Sequence, residues 1–121
     1  MKTVFILQLF IFVFYLSMCT YKKPEEVKPV ASCDTTTVSY VADIKPVIEQ
    51  QCTGCHSGAN AAGSINLSVF AQLQRTATTG LLFQVVNHTK GYPPMPANQP
   101  KLSDCLINKI QRWGLDGAPN N

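Results

Sequence analysis

The sequence predicts an all-α domain over residues 33–121, and three observations carry that expectation. Ile44, Val47 and Ile48, followed by Gln51 and Cys52, repeat at the spacing of one helix face. Leu102, Leu106, Ile110 and Trp113 do the same near the end of the chain. A third apolar run, Leu81–Val86, reads equally as helix or strand by period alone, but nothing else in the chain offers a strand to pair with it.

The elements follow in order. The first helix is expected to open at Asp43, a suitable N-cap, with Pro46 in the first turn, where its missing N–H is not needed. Ser57-Gly58-Ala59-Asn60-Ala61-Ala62-Gly63 is small and flexible, and reads as a loop. Ser68 is expected to cap a second helix through Val69, Phe70, Leu73 and Ala77, which stops at Thr79-Gly80. Leu81–Val86 is expected to form a further short helix. The last helix takes Ser103 as N-cap, carries Lys109 and Arg112 where the helix dipole favours cations, and ends with Gly114 and Gly117. Trp113 is expected to pack this helix into the core.

The segment ahead of this domain reads as an export signal and a tether. Lys2 supplies a positive start, and Val4 to Leu16 form an apolar run broken only by Gln8. A membrane-spanning helix needs about 20 apolar residues, so this shorter run suits a signal peptide over 1–18. Leu16-Ser17-Met18-Cys19 resembles the site at which a bacterial lipoprotein is acylated on cysteine and cut just before it, although Met18 stands where Gly, Ala or Ser is usual. Residues 19–32, with mixed charge, two prolines and little apolar content, read as a flexible tether to a lipid at Cys19. The chain without its signal has nine basic residues against seven acidic, a balance that points to no nucleic acid.

The most informative residues are Cys52-Thr53-Gly54-Cys55-His56. Cys-x-x-Cys-His is the attachment signature of a c-type haem: one helical turn separates two thiols that add across the porphyrin vinyl groups, and the histidine follows as an axial ligand to iron. A zinc site would want a second close pair of ligands, whereas Cys33 and Cys105 stand far apart. A redox dithiol of the thioredoxin type belongs on a βαβ pattern that is missing here. Haem attachment is completed outside the cytoplasmic membrane in bacteria, so the motif and the export signal support each other.

The second informative stretch is Gly91-Tyr92-Pro93-Pro94-Met95-Pro96. Three prolines around one methionine make a stiff, extended loop able to hold a thioether in place. Met1 and Met18 leave with the signal, and His88 is the only histidine besides His56. A sixth iron ligand is therefore Met95, favoured for the rigidity of its surroundings, or alternatively His88. Cys33 and Cys105 remain unassigned, and two such thiols in an exported chain usually pair; the alternative is two buried free thiols.

Together these residues resemble the class I c-type cytochromes, over roughly Val38 to Pro119. More closely, Asp43-Ile44-Lys45-Pro46-Val47-Ile48, the Cys52–His56 motif, Pro94-Met95-Pro96 and Trp113 to Asn120 look like small monohaem domains of bacterial lipoproteins. The resemblance implies a small helical domain wrapped around one covalently bound haem c and a role as electron carrier. Cys52 and Cys55 would be the attachment sites, His56 the proximal ligand and Met95 the distal one. The expected activity is the transfer of single electrons between transient redox-protein partners on the periplasmic side of a membrane, with no catalysis and no small-molecule substrate. Two alternatives stand beside it. One is a haem-based sensor or enzyme whose sixth ligand leaves to admit a small molecule, although a dihaem peroxidase would need a second Cys-x-x-Cys-His. The other is an electron-relay subunit of a larger dehydrogenase or oxidase complex.

Overall fold

In the structure, a computed structural model that describes Cys33–Asn121, helices account for all the regular secondary structure and no strand occurs among the described residues. The expected signal peptide (1–18), the lipidation site Cys19 and the tether (19–32) lie outside the described residues. A π-helical turn, Tyr40–Ile44, runs directly into helix α1, Lys45–Gln51. A 3₁₀ turn at Ala62–Ser64 precedes α2 (Phe70–Thr78), α3 (Leu81–Val86) and α4 (Asp104–Leu115). Helix α4 is the hub, since it packs against the π turn, α2 and α3. No helix of the described residues is long and apolar enough to cross a membrane.

The first helical segment starts earlier than its sequence suggests. Ser39, not Asp43, is the N-cap, and its hydroxyl accepts from the Ala42 N–H. Asp43 lies in the first turn and reaches back to accept from the Ser39 N–H at 2.9 Å, so the two side chains satisfy separate N–H groups at the start of the segment. Pro46 explains the wide turn ahead of α1. It has no N–H to offer Ala42, and in a regular α-helix its ring would meet that carbonyl. The chain instead opens into i→i+5 bonding, with the Ile44 N–H on the Ser39 carbonyl and the Lys45 N–H on that of Tyr40.

Asp43 also receives the ammonium of Lys109 from α4, both side chains being largely withdrawn from solvent. The Lys109 hydrogen bond first, and the Ser39 N–H second, hold the Asp43 carboxyl below its ordinary value. A carboxyl depressed in the folded state stabilises the fold above its unfolded pKa and loses that contribution as pH falls through the folded one. Asp43→Asn should therefore lower stability by about 1 kcal/mol at neutral pH. The gap between variant and wild type should narrow as thermal melts are taken below pH ~4. A gap that persists unchanged in acid would assign the effect to packing instead of charge.

The core forms where the sequence places its stripes, with one shift. Ile44, Ile48, Leu73, Leu82, Val86, Ile110 and Trp113 are all buried. On α4, Ile107 is fully buried while Leu106 is only half-buried, so the stripe turns by one residue from the expected line. Trp113 is sealed from solvent; its indole stacks on Tyr40 and meets the edge of Phe70, and its Nε1–H donates to the Pro119 carbonyl at 2.9 Å.

Two further expected helix boundaries are corrected. Ser68 does not cap α2: its hydroxyl and N–H both bond the Asn66 side chain in an Asx turn, and Val69 stands at the N-cap without a side-chain bond. Gly114 does not end α4 but lies inside it, where an added Cβ would sit 2.8 Å from the Ala77 carbonyl oxygen of α2. Glycine is there because the two helices cross too closely for a methyl group. Gly117, at φ 85°, provides the left-handed residue that follows the helix.

Cys33 and Cys105 form a disulfide, with Cα atoms 5.5 Å apart, tying the first described residue to α4.

Candidate functional site

The Cys-x-x-Cys-His motif forms the turn that leaves α1. The Cys52 and Thr53 N–H groups both bond back to the Ile48 carbonyl, at 2.9 and 3.1 Å, and close the helix. The Cys52 carbonyl then accepts from the Cys55 N–H at 3.2 Å and the His56 N–H at 2.9 Å. One hydrogen-bonded turn thus carries both thiols and the imidazole. Cys52 is half-buried against the core, Cys55 is exposed, and both sulfurs are free. Burial pushes the Cys52 thiol up to about 11.

His56 is anchored from the segment between the Ser57–Gly63 loop and α2. Its Nδ1 lies 3.1 Å from the Ile65 carbonyl oxygen. A carbonyl can only accept, so this contact places the proton on Nδ1 and leaves the lone pair on Nε2, the arrangement a metal-binding imidazole uses. The same segment closes on the motif twice more, through the Leu67 N–H on the His56 carbonyl at 2.8 Å and the Ala62 N–H on the Cys55 carbonyl at 2.9 Å. Asn66 steadies it, donating to the Gly58 carbonyl while its own N–H binds Gln72. Ile65 acts through its main chain, which no side-chain pattern reveals. Asn66-Leu67-Ser68 does carry a turn signal, and it could have drawn attention to this stretch.

Met95 and His88 form a second cluster at the C-terminal end of α3. The Met95 N–H donates to the Val85 carbonyl at 3.0 Å, and His88 Nε2 lies 3.1 Å from the Met95 carbonyl oxygen. By the same reasoning the His88 proton resides on Nε2, and the lone pair of the neutral ring lies on Nδ1. The two histidines therefore show opposite nitrogens: His56 has its Nε2 free, whereas His88 has its Nε2 occupied. Among the described residues no hydrogen bond joins the motif to the Met95 loop.

No protein-family model, curated protein or solved structure matches this chain.

Among the described residues no group of three or more His, Cys, Asp or Glu could hold a metal ion. A porphyrin asks less of the chain, because it brings four of the iron ligands itself and needs only axial partners and attachment points. The residues present fit that demand: two free thiols one turn apart, an imidazole with Nε2 available, and a thioether held at its main chain. Half-buried apolar side chains, including Val47, Ile65, Phe83, Val85 and Leu102, pack against the core. Ile65 and Val85 are the residues whose carbonyls hold His56 and Met95.

Proposed function

We propose that the domain is a monohaem c-type cytochrome that passes single electrons between redox partners. The observation that carries the reading is the Cys-x-x-Cys-His turn, with both thiols free and His56 oriented by the Ile65 carbonyl so that Nε2 is available. Cys52 and Cys55 would hold haem c through two thioethers, His56 would be the proximal ligand and Met95 the distal one. Bound haem supplies the Fe(III)/Fe(II) couple.

The chain has three tasks. The Cys52–His56 turn fixes the attachment points and the imidazole on one short, hydrogen-bonded segment. The Ile65 carbonyl holds the imidazole orientation, and the proton it shares with Nδ1 raises the donor strength of Nε2. The Val85 carbonyl and His88 hold the base of the Met95 side chain, presenting a soft sulfur that favours ferrous iron and raises the potential relative to a second histidine. An imidazole and a thioether held in this way would move little between oxidation states, which would suit a carrier. In the cell we place the domain on the periplasmic side of a membrane, tethered by a lipid on Cys19 and meeting its partners in brief encounters through small interfaces.

The visible spectrum of the ferric protein, produced with haem-maturation machinery, tests the ligand set. The expected result is a low-spin spectrum with a weak long-wavelength sulfur-to-iron band, lost in Met95→Ala. A high-spin spectrum would put an open, ligand-binding iron in place of the carrier. A low-spin spectrum that survives Met95→Ala but not His88→Ala would move the distal ligand to His88.

A further inference from the structure

We propose that His88 is a positioning residue for the Met95 thioether, an inference that rests on the haem reading above. Met95 has two main-chain polar groups, and both are tied to the end of α3. Its N–H is bound by the Val85 carbonyl at 3.0 Å, and its carbonyl lies 3.1 Å from His88 Nε2. The residues between His88 and Met95 thus close into a loop whose two ends are pinned together. The second pin is a side chain, so the sequence can remove it without altering the main chain.

The backbone of His88 supports a specific role. It stands just past α3 with φ 55°, in the left-handed region. Helices usually place Gly or Asn there, since a larger side chain is disfavoured in that conformation. The chain accepts this cost with a residue whose ring then spans to the Met95 carbonyl. Asn at the same position would satisfy the backbone but carries an amide one bond shorter, too short to replace Nε2. Gln places its amide nitrogen at about the reach of Nε2. The three residues separate backbone preference from the hydrogen bond.

The experiment uses haem-loaded protein. Imidazole is titrated into the ferric form, where it competes with Met95 for iron, and the sulfur-to-iron band is followed on warming. Losing one hydrogen bond that holds the loop should tighten apparent imidazole binding roughly fivefold in His88→Ala and His88→Asn. The band should disappear at lower temperature in both variants, and His88→Gln should restore both readouts toward wild type. Imidazole affinity unchanged in His88→Ala, or wild-type behaviour in His88→Asn, overturns the proposal. A band that persists in Met95→Ala overturns the ligation itself, so failure of the underlying reading is seen separately from failure of the positioning role.

Discussion

The double variant Cys52→Ala, Cys55→Ala should retain no covalently bound haem, so a denaturing gel stained for haem should show no signal at the position of the polypeptide. Each thioether consumes one thiol, and the described residues hold only two that are free. Either single variant should keep one bond and stay stained. Loss of staining would not be a by-product of unfolding. Cys55 is exposed, so its truncation removes almost no packing, and Cys52 is half-buried, so truncation there forfeits one sulfur against the core. Thermal melts of haem-free wild type and double variant should differ by no more than about 1 kcal/mol. Covalent haem persisting in the double variant would remove the basis of the proposed function.

Trp113→Ala should be the most damaging single change to the fold. The indole is sealed from solvent, stacks at 5.7 Å on Tyr40 and lies 6.5 Å from Phe70, so truncation empties the site where α4 meets the π turn and α2. Large-to-small changes of this kind cost about 3 to 5 kcal/mol, a large share of the ~5–15 kcal/mol that stabilises a domain. The midpoint of urea unfolding reads the loss directly. Trp113→Phe separates packing from hydrogen bonding, because it keeps an aromatic ring but leaves the Pro119 carbonyl without the Nε1–H. It should cost about 1 to 2 kcal/mol. Equal losses in the two variants would show that the hydrogen bond, and not the volume, dominates.

The parts legible in the sequence are those where local spacing is itself the physics. The Ser103 cap and the left-handed Gly80 between α2 and α3 follow from capping chemistry and are present, and periodicity places Ile110 and Trp113 of the α4 stripe, though Ile107 is buried in place of Leu106. Cys-x-x-Cys-His is legible for the same reason, because its spacing is one turn. The errors arise where a distant group decides. Gly114 reads locally as a helix stop, but its role is set by the Ala77 carbonyl on another helix. Asp43 reads as a cap, yet Pro46 widens the turn ahead of it and passes the cap to Ser39. In the site, the anchors of His56 and Met95 are the carbonyls of Ile65 and Val85, and main-chain acceptors have no residue type to betray them. Sequence alone does not say which His88 nitrogen is occupied, and the structure shows a contact at Nε2.

The disulfide has a consequence for how the molecule is made. Four cysteines among the described residues meet two incompatible fates, since Cys33 and Cys105 end oxidised while Cys52 and Cys55 would have to stay reduced until haem arrives. Four thiols admit three pairings. Closing Cys33–Cys105 first eliminates both crossed pairings and leaves the short Cys52–Cys55 bridge as the only competing product. That bridge would join neighbours within one turn and keep a sulfur at the surface, where an external thiolate can reopen it. Under the proposed function, maturation would become a contest between oxidant and reductant in one compartment. The yield of finished protein would depend on the supply of reducing equivalents to Cys55 as well as on the supply of haem.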